Sequence, residues 1–174
     1  MPYIHDISTR IRGRRASLRY WIERAGRFPI PRVHQEDEHS CGFLAALVVA
    51  QYFDPTVSAR DVLAAVPKNW LPSPTRGLSE YGVRKTLSRF RIECPNREGL
   101  GWRKLLRLTT EGAPVIVTVL PEGWDFDHWV VIRGMTSRHV WVSNYAYADD
   151  GRLTRRQFSD MWYPYGEAMV CRRV

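Results

Sequence analysis

Four residues, in the order Gln35, Cys41, His128 and Asn144, carry the chemistry this sequence can do. Cys41 is the sharpest of them. It lies in HQEDEHSCGFLAALVVAQYF, residues 34–53, at the mouth of an apolar run and not in its middle, where a packing cysteine would sit. A thiol at a helix N-terminus is near the positive end of the helix dipole and its free N–H groups, which favour thiolate over thiol. An imidazole beside it would complete a thiolate–imidazolium pair, the activated nucleophile of cysteine hydrolases. That imidazole needs a third group to set its orientation and tautomer, and the side-chain oxygen of Asn144 is suited to this. Acyl transfer also places negative charge on a former carbonyl oxygen. The Cys41 backbone N–H and the Gln35 side-chain amide are the donors expected to receive it.

The elements that must position these groups follow from pattern. A helix is expected from about Ser40 to Tyr52, with Ser40 as N-cap and apolar residues nearly all round, hence buried on most sides. SARDVLAAV reads as a second helix capped by Ser58, SEYGVRKTLSRF (79–90) as a third, amphipathic through Tyr81, Val83 and Leu87, and WRKLLRLTTEG as a fourth ending at Gly112. PKNWLPSPTRG is a loop. The period then changes: APVIVTVL, HWVVIRG and HVWVSNY read as strands, TRRQFSDMW as a short helix or turn, and EAMVCRRV as a closing strand. Helices followed by antiparallel strands predict an α+β domain. If strands 128–134 and 139–145 form a hairpin centred near Thr136, Ile132 faces Val140, Val130 faces Val142 and His128 faces Asn144, with all six side chains on one face.

The chain has 174 residues, 44% of them hydrophobic, enough for one domain with its own core. Three scattered cysteines (41, 94 and 171) do not make a disulfide framework and point to a reducing, cytoplasmic setting; Cys94 and Cys171 read as structural. Neither a signal-peptide core nor an apolar stretch long enough for a transmembrane segment is present, and no cofactor is implied. His34, His39 and Cys41 lack the further ligands a metal site requires. The formal charge of +8 is concentrated at the start: residues 1–32 hold eight arginines against Asp6 and Glu23, a net of +6. Residues 1–31 are therefore read as a basic N-terminal arm, either packed on its own domain through Leu18, Trp21 and Ile22 or binding an acidic partner protein. Nucleic acid is the weaker partner, since no recognition motif accompanies the charge. If the arm lies over the cleft, it would act as an inhibitory or specificity element.

Gln35, the acidic loop and Cys41-Gly42, followed by the apolar helix, APVIVTVL, DHWVVIRG and VWVSN, resemble the papain-like cysteine peptidases. More narrowly, the set is similar to the bacteriocin-processing, double-glycine leader peptidases over residues 32–174. The resemblance implies a papain-like fold with the nucleophile at the start of a buried helix and an antiparallel C-terminal sheet. It implies Cys41 as nucleophile, His128 as general base and acid, Asn144 as the residue orienting His128, and Gln35 as oxyanion donor, acting on a protein or peptide. Ser40 stands where such peptidases carry an acidic residue, Phe43 where they carry a small residue or proline, and Asn144-Tyr145 where they carry Asp-Pro; asparagine serves in papain itself. The sequence brings no transporter, so the resemblance does not extend to processing coupled to export. Two other activities fit the same residues: a papain-fold acyltransferase or amidase, and a non-catalytic peptide-binding module with a docking arm. Without its companions, Cys41 would be an ordinary buried thiol and His128 a strand histidine.

Overall fold

A computed structural model describes residues 30, 33, 35, 39–70, 77–144, 151–162 and 166–174. Apart from Ile30, the basic arm lies outside the described residues, as does the acidic trio Glu36, Asp37 and Glu38. The expected α+β order is observed. Helices α1 (Cys41–Phe53), α2 (Ala59–Ala65) and α3 (Glu80–Ser88) come first. The short strands β1 (Ile92–Glu93) and β2 (Asn96–Arg97) follow, then α4 (Trp102–Thr110). Next come β3 (Val115–Val119), β4 (His128–Met135), β5 (His139–Ser143) and β6 (Arg152–Thr154). Helix α5 (Arg155–Trp162) precedes β7 (Ala168–Val170) and β8 (Arg172–Arg173). One antiparallel sheet runs β2-β7-β3-β4-β5-β6, and β1 pairs with β8 beside it.

Alternation along the strands divides the core in two. Ile116, Val131 and Met169 face α1, α2 and α3, while Val115, Val117, Val130, Ile132, Val140 and Val142 face α4 and α5. Residues 41–50 of α1 are all buried, which explains its uniformly apolar sequence. Burying each of Leu44, Leu47, Val48 and Val49 contributes roughly 1.5–3 kcal/mol. Caps set two other helix starts. Ser58 and Asp61 form a reciprocal capping box on α2, and Ser79 Oγ accepts from Gly82 N–H on α3.

The structure departs from expectation in several places. Ser40 occupies the N-cap position, but its hydroxyl makes no cap bond. Tyr81 is 53% exposed, so α3 packs through Val83 and Leu87 without it. PKNWLPSPTRG is not all loop, because Lys68–Trp70 form a 3₁₀ turn. The β4–β5 hairpin keeps its predicted faces but not its register: Ile132 pairs with Val142 and Met135 with Val140, with an irregularity between Ile132 and Gly134. The cause is the turn. Thr136 N–H donates to His139 O, and Thr136 Oγ1 accepts from the N–H groups of Arg138 and His139. That closure moves the centre beyond Thr136: pairing is shifted by two at Ile132 and by three at Met135, and the irregularity between Ile132 and Gly134 absorbs the odd residue, so Val130, Ile132, Val140 and Val142 keep a common face.

Gly42 fixes the seat of α1. A Cβ there would lie 2.8 Å from Leu78 O and 2.9 Å from Leu78 Cβ, so only glycine lets the helix start approach this segment. Gly42→Ala is expected to lower the melting temperature by about 3–10 °C, the cost of an overpacked contact of about 1–3 kcal/mol. An unchanged melting curve would show that the approach is not needed.

Candidate active site

The site is assembled where the start of α1 meets the open ends of β4 and β5. Cys41 is the first residue of α1 and is 6% exposed. His128 is the first residue of β4, paired with Val119 on β3, and is 2% exposed. Asn144 follows the last residue of β5 and is 1% exposed.

Asn144 joins the other two. Its side-chain Nδ2 donates to Cys41 O at 3.2 Å and to Trp129 O at 3.0 Å, while its own backbone oxygen lies 2.6 Å from His128 Nε2. The Cys41 backbone and the His128 ring are thus held one asparagine's span apart. Two carbonyl acceptors at one end of the amide fix which end is nitrogen, since a flipped amide would turn its oxygen on both. The contact to His128 therefore runs through the backbone oxygen, and not through the side-chain oxygen expected from the sequence. Asn144 Oδ1 is buried and has no hydrogen-bond partner among the described residues. The geometry depends on the backbone of Asn144, whose φ of 67° is in the left-handed region that asparagine tolerates better than most residues.

A carbonyl oxygen can only accept, so the hydrogen on the imidazole resides at Nε2, and Nδ1 of the neutral ring is left as the basic nitrogen. Burial lowers the His128 pKa below its ordinary value of 6.5, and the bond to the Asn144 carbonyl raises it by less. The neutral ring, the form able to take a proton, is favoured.

Gln35 reaches the same neighbourhood by another route. Asn144 N–H donates to Val33 O at 3.0 Å, and Val33 N–H donates to Ser143 Oγ at 3.1 Å. These bonds pin the segment to the end of β5. Gln35, two residues on, is 7% exposed. Arg133 Nε donates to Ile30 O and anchors the same segment further back.

Three contributors were not singled out from the sequence. Ser143 is fully buried and receives the Val33 N–H; nothing in VWVSN distinguishes it from a strand-end serine. Trp124 meets the His128 ring edge-on at 5.2 Å between centroids, and Phe126 lies against Trp124 at a tilt of 49° with centroids 5.0 Å apart. The alternation Trp124, Phe126, His128 in GWDFDH is the signal that could have found them. Phe126 is 41% exposed, so this aromatic wall opens to solvent beside His128. Among the described residues, no group of three or more His, Cys, Asp or Glu could hold a metal ion, and no helix is long and apolar enough to cross a membrane.

This arrangement can be set beside known proteins. A family profile described as the Peptidase C39 family matches residues 29–173. Curated protein sequences give no match. Among solved structures, the chain is similar to a double glycine motif protease from an AMS/PCAT transporter, solved in complex with the leader peptide. The identity is 20%, the coverage 87% of this chain and 96% of that one, and the TM-score 0.62. It is also similar to the peptidase domain of Streptococcus ComA, a bi-functional ABC transporter of a quorum sensing pathway. There the identity is 18%, the coverage 83% and 99%, and the TM-score 0.63. These likenesses agree in fold with the buried α1 and antiparallel sheet described above, and the profile spans nearly all of the chain: it belongs to the Peptidase C39 family and is a cysteine peptidase.

Proposed function

We propose that the chain hydrolyses a peptide bond in a protein or peptide, with Cys41 as nucleophile, His128 as general base and acid, and Gln35 as an oxyanion donor. Asn144 orients His128 through its backbone carbonyl. The observation that carries this reading is the double engagement of Asn144, on Cys41 O and on His128 Nε2. In the reaction, His128 Nδ1 takes the thiol proton as sulfur attacks the scissile carbonyl, and returns it to the leaving amine. The Cys41 N–H at the start of α1 and the Gln35 amide receive the developing oxyanion. The leader peptide held by the double glycine motif protease favours a peptide over a small amide as substrate.

Burial bears on the resting state. Burial disfavours the imidazolium form of His128, so the neutral ring is the form that takes the thiol proton during attack. The base is competent while neutral, that is, above its own pKa, and burial sets that pKa below 6.5. The rate of iodoacetamide labelling at Cys41, read by mass spectrometry from pH 4 to 9, should therefore rise with a midpoint below 6.5. In His128→Ala the rise should move to higher pH, toward that of a thiol without a neighbouring base. A midpoint indifferent to His128, or labelling of Cys41 no faster than of Cys94 and Cys171, would refute the assignment.

A further inference from the structure

Away from the active site, the two remaining cysteines meet. The β1–β8 ladder pairs Ile92 with Arg173 and Glu93 with Arg172, and the β2–β7 ladder pairs Asn96 with Met169 and Arg97 with Ala168. Both follow one continuous register, and carried through the gap between them it sets Cys94 directly opposite Cys171. The neighbouring bonds say which kind of pair this is. Val174 N–H donates to Arg91 O, and Val170 N–H donates to Pro95 O, so 91/174 and 95/170 are hydrogen-bonded pairs. Alternation then makes 94/171 a non-hydrogen-bonded pair, the kind whose side chains lie closest together. Consistently, Cys171 N–H turns away from Cys94 to donate to Pro114 O. The two sulfurs are in direct contact at 2.7 Å, and both residues are buried, at 4% and 1% exposure. The Cα separation of about 4.5 Å typical of such pairs falls in the range a disulfide spans.

We propose that Cys94 and Cys171 are a cross-strand disulfide site, reduced in a glutathione-rich compartment and joined under oxidising conditions, which clamps the end of the chain to the sheet. Reading them as merely structural misses their placement, since a sequence separation of 77 hides that they face each other. The clamp would act on β7, which lies between β2 and β3, and β3 in turn pairs with the strand that begins at His128. Cys41 takes no part in it.

Burial pushes the Cys171 thiol well above its ordinary pKa, so the closed pair is unreactive and the end of the chain must open for exchange. That end is suited to opening. Arg172 and Arg173 are exposed, and β8 is two residues long. With glutathione disulfide as oxidant, the Cys171 thiolate attacks one of its sulfurs, breaking that bond and releasing one glutathione. Reclosure then brings Cys94, whose thiolate attacks the Cys171 sulfur of the mixed disulfide and releases the second glutathione. Two protein thiols are oxidised, one glutathione disulfide is reduced, and the two thiol protons end on the two glutathiones.

The test uses the whole chain, equilibrated with mixtures of reduced glutathione and glutathione disulfide, quenched in acid, alkylated with N-ethylmaleimide and mapped by mass spectrometry. A linked Cys94–Cys171 peptide pair is expected to accumulate as the disulfide fraction rises, equally in the wild type and in Cys41→Ala. Closing so long a loop should raise the melting temperature of the oxidised form by about 10 °C over the reduced form, a difference that Cys94→Ala or Cys171→Ala removes. Full alkylation of both cysteines after oxidative equilibration, or linked peptides that contain Cys41, would overturn the proposal. Should an alanine variant not fold, the linked peptide and the two melting temperatures of the wild type decide by themselves.

Discussion

A chain carrying both Cys41→Ala and His128→Ala is expected to be no less active than either single variant, and each single variant to lose roughly 10⁴-fold or more in kcat/KM. The reasoning is that, in the proposed mechanism, nucleophile and base act in one step. Without the base, the thiol loses its proton acceptor. Without the thiol, the base has nothing to activate, so the second deletion removes a function already gone. Additive losses would instead mean two independent roles, for instance a His128 that only supports β4. The variants are suited to the comparison because Cys41→Ala removes one sulfur from a helix start held elsewhere by Gly42 and Leu78. His128→Ala removes a group whose charged form the interior already disfavours. Both should fold, and their circular dichroism and melting curves check that the lost activity is chemical. The same assay separates hydrolysis from acyl transfer: an added amine that shortens the lifetime of the acyl-enzyme and appears in the product marks a transferase.

How far the sequence discloses such a site depends on the kind of contact involved. The helix that carries Cys41 was legible because ten consecutive buried residues leave an apolar signature that no surface helix has. The capped start of α2 was legible because Ser58 acts within its own turn, whereas Ser79, read as the first residue of the third helix, is in fact its cap. The common face of Val130, Ile132, Val140 and Val142 was legible because alternation within each strand sets it, and the irregularity between Ile132 and Gly134 absorbs the odd residue of the shifted register. The register was not, since it turns on one hydroxyl, Thr136 Oγ1, closing a loop that composition alone leaves ambiguous. Strands β1, β2 and β6 have two or three residues each, too few for a period, and exist only through their partners. Asn144 is the instructive case. Its position was read from residue type and order, but its bond to His128 uses an atom every residue has, placed by a φ of 67° that sequence does not reveal.

That difference can be measured at position 144. If the side-chain oxygen oriented His128, Asn144→Asp would keep the acceptor and strengthen it with charge, and activity would be maintained. The geometry leads to the opposite expectation. A carboxylate in place of Nδ2 would face the carbonyl oxygens of Cys41 and Trp129 in a buried site, with two donated bonds replaced by repulsion. Asn144→Asp should therefore lose about 2–4 kcal/mol of stability near neutral pH, a drop of about 4–16 °C in melting temperature, and regain part of it in acid as the carboxylate is protonated. Its activity at pH 7 should fall by about 10²-fold or more, because the start of α1 and the His128 ring are no longer held together. Asn144→Gly is the informative partner. Glycine adopts the left-handed backbone without strain and keeps the carbonyl on His128 Nε2, while giving up both side-chain bonds and the orphaned Oδ1. Its loss of activity should be the smaller of the two, about 10-fold, with the acid limb of the pH–rate profile still set by His128 below 6.5. Asn144→Asp as active as the parent, or Asn144→Gly less active than Asn144→Asp, would return the orienting role to the side chain.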